Sequence, residues 1–173
     1  MANKTTEFGF SYEYGIDIFI PPAGGTGEGA WQPIRFPTGI NPTVEPVTAD
    51  AATYDDLGAP NEIVISESWN ASFNVQVHRL ADGGYLPEVE ALIALTTPDA
   101  VGNKAVGTFR WYDKPAEGTP NPTDAFEGDA TVAVNRAETG NQGIGSWAVT
   151  LTGVGRRRQI ENPFKGWDAP EAP

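Results

Sequence analysis

Few side chains in this 173-residue chain have the types and spacing that catalysis needs. His78 is the only imidazole, and no local pattern supplies the nucleophile and orienting acid that a catalytic histidine requires. Asp55 and Asp56 could form a carboxylate pair, although adjacent acids in a polar segment are usually just solvated. The glycine-rich segment 24–29 lacks the Lys-Ser/Thr that completes a phosphate-binding loop. The sequence therefore predicts a protein that is not an enzyme.

The composition excludes several kinds of site. The chain has no cysteine, which excludes disulfides and thiolate metal sites, and a single histidine excludes the common zinc sites built on two or three imidazoles. We expect no cofactor. The 23 acidic and 11 basic residues give a formal net charge of −12, which argues against a surface that wraps nucleic acid. Such a charge would suit a wall past which DNA slides without sticking.

The stretch 68–78 has the clearest pattern in the chain. Apolar side chains occupy its odd positions and polar side chains its even positions, which is the period of a β-strand. We expect a long strand within 63–80 that has one face in the core and one neutral polar face in water. The apolar set is Trp69, Ala71, Phe73, Val75 and Val77, and the polar set includes Asn70, Ser72, Asn74 and Gln76.

The other elements predict a mainly β domain with many turns, in keeping with 20 Gly and 15 Pro. Pro87 and an apolar stripe indicate one helix at 86–95. The segment 35–61 contains four prolines and is predicted to be a long excursion, with at most a short strand at 43–48. Further strands are predicted at 12–20, 31–34, 107–113, 126–135 and 146–154.

The ends of the chain are predicted to differ from the domain between them. Residues 1–7 have the composition of a loose arm, the domain is assigned to 1–165, and 166–173 is predicted to be an irregular tail. The sequence shows no apolar signal segment and no run of about 20 apolar residues. We therefore expect no membrane insertion and no export by the general secretory route.

Two further features point to contacts between copies of the chain. Arg156, Arg157 and Arg158 form the only basic cluster, and we expect them to pair with acidic residues of a neighbouring copy rather than to bind phosphate. Of the five tryptophans, those in alternating strands are predicted to be core residues. Trp167 lies near the C-terminus and is better placed for a contact between subunits.

The order of several short motifs is similar to that in the major tail tube proteins of long-tailed, non-contractile bacteriophages. The resemblance covers about residues 10–165, and the succession of motifs carries it. These motifs are Thr53 to Asn61 (TYDDLGAPN), Ser66 to Trp69 before the long strand, the helix at 86–95, Phe109 to Asp113 (FRWYD), Phe126 to Gly128 (FEG) and Val149 to Gly155 (VTLTGVG).

The resemblance implies a β-sandwich or half-barrel with one flanking α-helix. It also implies six copies in a ring, whose sheets merge into a β-barrel around a lumen, and rings that stack into a tube through which DNA passes during ejection. The location would be the tail of the virion, after assembly in the host cytoplasm. The implied partners are further copies of the chain and the tape-measure, tail terminator and tail-tip proteins.

Particular residues are expected to serve these contacts. Tyr54, Asp55, Asp56, Trp167 and the three arginines are predicted to take part in assembly, and the 35–61 segment and both terminal arms in contacts between rings. Residues expected to line the lumen are Asn70, Ser72, Asn74, Gln76, Asp17 and Glu127.

Two other functions remain open on the sequence. A monomeric β-sandwich could bind carbohydrate or a host surface through exposed tryptophans. A β-rich hydrolase could use a pair of its many carboxylates, although the sequence marks no particular pair.

Overall fold

The computed structural model describes residues 6, 8–22, 24, 27–138 and 140–167. About half of the chain is in strands and one tenth is helical, so the predicted mainly β class is confirmed. The strands are β1 (Tyr14–Ile20), β2 (Ala30–Pro33), β3 (Pro37–Asp50), β4 (Glu62–Gln76), β5 (Val106–Asp113), β6 (Ala125–Glu138) and β7 (Ser146–Gln159), and the helix is α1 (Pro87–Ala94).

The strands form one antiparallel sheet in the order β2-β1-β5-β6-β7-β4-β3. Its two outermost strands, β2 and β3, are consecutive in the chain and are separated only by residues 34–36. Because this linker is so short, the sheet must curl until its two edges approach each other. The backbone N–H of Ile34 donates to the carbonyl of Ile16 at 3.0 Å, which ties the linker to β1. The result is the half-barrel with one helix that was predicted.

The inner face of the sheet is built around tryptophans that pack against glycines. Trp69 and Trp111 are buried, and their rings are 4.7 Å apart. A Cβ on Gly153 would lie 2.5 Å from Trp69 Nε1, and a Cβ on Gly128 would lie 2.6 Å from the same indole. Two neighbouring strands therefore need glycine at these positions so that the Trp69 ring can lie flat against them.

A buried ion pair fixes the linker to the helix. Glu88 is 0% exposed, and its carboxylate accepts hydrogen bonds from Arg35 Nε at 2.8 Å, Arg35 Nη2 at 3.0 Å and the Arg35 backbone N–H at 3.3 Å. Glu88 lies in the first turn of α1, where a negative charge also interacts favourably with the positive end of the helix dipole. In the structure it joins α1 to the segment that connects the two sheet edges.

The prediction that 35–61 is a long excursion is wrong for about half of its length, because β3 runs from Pro37 to Asp50 and extends the short strand predicted at 43–48 in both directions. Prolines are tolerated because β3 is an edge strand. Pro37, Pro42 and Pro46 are paired with Val75, Ala71 and Glu67, which all have the same parity on β4. The proline nitrogens therefore point away from β4, where no ladder hydrogen bond is lost.

The C-terminal segment is irregular but packed. Asn162 is buried, and its Nδ2 donates to the carbonyls of Asp113 and Asn121 at 2.9 and 3.2 Å. Residues 1–5 and 7 of the predicted arm and residues 168–173 of the predicted tail lie outside the described residues. Among the helices that are described, none has the length and apolar character needed to cross a membrane.

Candidate assembly surfaces

The outer face of the sheet is polar and uncharged across three strands. On β4, Ser72 and Asn74 are exposed and Asn70 and Gln76 are half-buried, while the odd positions 69–75 are buried. The predicted alternation is therefore confirmed up to Gln76, where the strand ends, and Val77 lies beyond it. Thr152 and Thr150 of β7 lie beside Asn70 and Ser72. The next strand continues the face with Thr131, Ala133 and Asn135. This surface, which we call the neutral face, offers amides and hydroxyls but no cation to hold a phosphate.

Asp17 does not belong to an exposed surface, which corrects its assignment to the lumen. It is 1% exposed, and its carboxylate accepts hydrogen bonds from Arg110 Nε at 2.7 Å and from the Tyr112 hydroxyl at 2.9 Å. Burial raises the pKa of the Asp17 carboxyl, and the Arg110 charge opposes that rise. Burial also raises the pKa of Tyr112, beside the Asp17 charge. The cluster joins β1 to β5 in the interior.

The three arginines have different surroundings. Arg157 Nε contacts Glu67 Oε1 at 3.1 Å and its guanidinium lies over the Phe126 ring at 4.2 Å. Arg158 pairs with Glu127, the other acidic residue predicted to line the lumen. These two arginines therefore have acidic partners in their own chain, and pairing of the cluster with a neighbouring copy stays a prediction. Arg156 is exposed and follows Gly155, whose φ of 76° marks a bulge in β7.

A two-stranded ribbon extends beyond the sheet. Strand β4 pairs with β7 only over 70–76, and its residues 62–69 pair with β3 alone. We call residues 44–68 the arm, which consists of this ribbon and its connecting loop 51–61. Apolar side chains are exposed along it: Val44, Val47, Tyr54, Leu57, Ile63, Val64 and Ile65. The arm therefore presents an apolar surface that its own subunit leaves exposed.

The tip of the arm is a short, well-defined turn. Asp56 Oδ2 accepts hydrogen bonds from the Thr53 N–H at 2.6 Å and the Thr53 hydroxyl at 3.0 Å, and these bonds lower the pKa of Asp56. Tyr54 and Asp55 belong to the same 3₁₀ turn. Tyr54 is fully exposed, and Leu57 is 93% exposed with a φ of 51°. The Thr53–Asp56 hydrogen bonds thus hold two apolar side chains outward in water.

Trp167 is bound to its own subunit on one side. Its Nε1 donates to the Pro115 carbonyl at 2.9 Å, and the Lys114 ammonium lies 4.4 Å from its ring. The ring edge also meets Phe164. More than half of its surface remains exposed, so a contact with another subunit stays a prediction for that part of the ring.

The residues considered for chemistry are not brought together. His78 stacks on Phe36 with the ring centroids 3.9 Å apart, and its buried Nε2 has no hydrogen-bond partner within the described ranges. No group of three His, Asp or Glu in the described part of the chain could hold a metal ion. The described arrangement offers no assembled general acid and base.

The apolar residues 63–65 of the arm were not predicted to form a contact surface, although a signal for them was present. Ile63, Val64 and Ile65 are three consecutive apolar residues, and they precede the strictly alternating part of β4. Consecutive apolar residues in a strand point to both faces of the ribbon, so they predict contacts on both sides.

No protein-family model matches the chain, and no match to a curated protein is found.

Proposed function

We propose that this protein is the structural subunit of a bacteriophage tail tube, in which hexameric rings stack around a lumen that conducts DNA during ejection. The proposal combines the order of motifs described above with surfaces that suit self-assembly. On this proposal the protein acts in the virion tail. Its partners are copies of itself and the tape-measure, tail terminator and tail-tip proteins that the resemblance implies.

The exposed apolar arm is the observation that carries the proposal. An isolated two-stranded ribbon is at best marginally stable in water, and contiguous exposed apolar surface commonly marks an interaction site. The arm has both properties over residues 44–68. The apolar surface of the arm is buried only when another molecule covers it. This property is expected of a polymer subunit more than of a monomeric enzyme.

The neutral face and the acidic charge suit contact with passing DNA. Asn70, Ser72 and Asn74 cannot form ion pairs with phosphate, and the net charge of −12 repels it. A ring would multiply that repulsion, so that DNA would stay mobile near its wall. On this proposal the neutral face lines the lumen, with Glu127 held beside Arg158 at its margin.

The structure also restricts how neighbouring subunits could join. The prolines on the free edge of β3 remove backbone donors there, so ordinary strand pairing on that edge is disfavoured. In β6, residues 132–138 pair with β7 but not with β5, which leaves one edge available. On this proposal, subunits merge laterally through that edge or through side chains.

Electron microscopy of the purified full chain, together with sedimentation velocity, tests the proposal. Rings or tubes with a central hole are expected as concentration rises. A chain that stays strictly monomeric at about millimolar concentration, far above the range of specific assembly contacts, would refute it.

A second function is favoured by an aromatic cleft of about 600 Å³ between β1 and β3. Tyr12, Tyr14, Phe36 and Trp167 are among its lining residues, and aromatic rings of this kind stack on sugars. Titration with glycans while following tryptophan fluorescence distinguishes the two functions. Quenching by a glycan without self-association would favour the monomeric carbohydrate- or surface-binding module.

A further inference from the structure

The aromatic cleft between β1 and β3 also carries positive charge. Its lining includes the side chains of Arg35 and Lys114 and one acidic residue, Asp17. Asp17 is 1% exposed, and its carboxylate is already compensated by Arg110 Nε at 2.7 Å and the Tyr112 hydroxyl at 2.9 Å. The cleft is therefore a positively charged site in a chain whose net charge is −12.

Lys114 is the cation best placed to meet a ligand in this cleft. Its ammonium lies 4.4 Å from the Trp167 ring and 5.7 Å from the Phe164 ring, and the residue is half-buried. Arg35, by contrast, is held by two side-chain hydrogen bonds to Glu88. Within the described residues, no acidic side chain forms an ion pair with Lys114. A partly desolvated ammonium gains more from an anionic partner than one in bulk water does.

Two aromatic rings of the cleft are held in place and remain accessible. Phe36 stacks on His78 with the centroids 3.9 Å apart, and Tyr12 stacks on Phe10 at 5.3 Å. Phe36 is still 49% exposed and Tyr12 64% exposed, so each ring can pack against the apolar face of a sugar ring. The Thr38 hydroxyl lines the same cleft and can form hydrogen bonds with sugar hydroxyls.

We infer that this cleft binds acidic sugars, with the Lys114 ammonium pairing with the sugar carboxylate and Tyr12 and Phe36 packing against the ring. The inference rests on the second of the two proposed functions, carbohydrate binding in this cleft, and names the class of sugar. It does not require self-assembly. Aromatic rings alone would also favour a cationic ligand, but the charges of Lys114 and Arg35 repel one.

The acidic character of the whole chain does not cancel this local attraction. At physiological salt, exposed charges more than about 8 Å apart are largely screened from each other, whereas a carboxylate in contact with Lys114 is not. Charge-assisted hydrogen bonds are about twice as strong as neutral ones. A carboxylate in place of a hydroxymethyl group should therefore tighten binding about tenfold.

Titration of the dispersed full chain with methyl glucuronide and with methyl glucoside, followed by tryptophan fluorescence, tests the inference. The two sugars differ at one carbon, which is a carboxylate in the first and a hydroxymethyl group in the second. The glucuronide should bind about tenfold more tightly, and its advantage should shrink when salt is raised from about 20 mM to about 500 mM. Equal affinities for the two sugars would overturn the inference.

A pair of lysine variants separates the role of Lys114 from that of net charge. Lys114→Gln should abolish the preference for the glucuronide and leave the affinity for the glucoside within about twofold. Lys104 is exposed and lies outside the cleft, so Lys104→Gln removes the same charge and should preserve the preference. Lys114→Arg keeps the charge and should keep most of the preference.

Both sugars are compared on the same variant, so a general loss of stability cannot imitate a change in preference. A preference that survives Lys114→Gln would overturn the inference.

Failure of this inference can be told apart from failure of the proposed functions. If both sugars bind equally well, carbohydrate binding stands and the assignment to acidic sugars is wrong. If neither sugar binds, carbohydrate binding and this inference are both wrong. The tail-tube function is tested separately, by electron microscopy of the concentrated chain.

Discussion

The ion pair between Glu88 and Arg35 should be among the most sensitive points of the fold. Glu88 is fully buried and accepts three hydrogen bonds from Arg35, whose side chain is 41% exposed. Breaking a buried ion pair by removing one partner costs about 3–5 kcal/mol. Glu88→Gln should lower the free energy of unfolding by about 3 kcal/mol, near the lower limit of this range, because the Arg35 side chain can regain water when its carboxylate partner is lost.

The opposite substitution should cost more. Arg35→Met leaves a charged carboxylate in a site without solvent, so we expect a loss near the upper limit, about 5 kcal/mol. Replacing both residues, as Arg35→Met with Glu88→Leu, removes both charges together. The double variant should lie within about 1–2 kcal/mol of the natural chain, because it leaves no buried charge without a counter-charge.

Urea unfolding followed by tryptophan fluorescence measures these differences, because Trp69 and Trp111 are buried in the folded chain. Loss of 3 kcal/mol should lower the melting temperature by about 6–12 °C for a chain of this size. Glu90→Gln is the matched control on the same helix, since the exposed Glu90 carboxylate accepts one hydrogen bond from the Tyr85 N–H. A Glu88→Gln variant that loses no more stability than the Glu90 control would refute the role given to the ion pair.

Three other outcomes are expected. Gly153→Ala should destabilise the chain by about 2 kcal/mol or more, because the added Cβ would overlap Trp69. Gly145→Ala is the control and should be tolerated, because its Cβ would lie 3.5 Å from the nearest atom. Thermal unfolding compares the two variants. Burial raises the folded-state pKa of Asp17. The free energy of folding that protonated Asp17 contributes is therefore fully present below the unfolded pKa of about 3.9, and it is lost as pH rises through the folded pKa. The stability of the natural chain relative to Asp17→Asn should therefore fall as pH increases from about 4, and a constant difference across the pH series would contradict this. Arg156→Glu should leave the unfolding free energy within about 0.5 kcal/mol while reducing the sedimentation coefficient of assemblies, and unchanged assemblies would remove Arg156 from any interface.

The sequence predicted those parts of the fold in which local patterns and tertiary packing agree. The alternation around Trp69 gave the buried and exposed faces of β4 correctly, and Pro87 marked the first residue of α1. Strands β6 and β7 were predicted to end several residues too early. They continue through Arg136 and Arg158, whose charged side chains face water. Solvent-facing residues on a long strand carry little hydrophobic signal.

Other features depend on contacts between distant residues and could not be predicted from local patterns. Proline lowers the expectation of a strand, so β3 was predicted only as a short strand at 43–48. Its edge position explains why Pro42 and Pro46 are accepted. Asp17 lies in an alternating strand like an exposed acid, and its burial depends on Arg110 and Tyr112, which are more than 90 residues away.

The outward-pointing prolines of β3 also affect how the subunit behaves when it is concentrated. An invading strand would find carbonyl groups at Pro37, Pro42 and Pro46 but no amide hydrogens to answer its own acceptors. The cross-β stacking that turns exposed strands into fibrils is therefore disfavoured on this edge. The subunit exposes many apolar side chains on its arm, and the prolines of β3 thus hinder one route by which it could aggregate before it assembles in an ordered way.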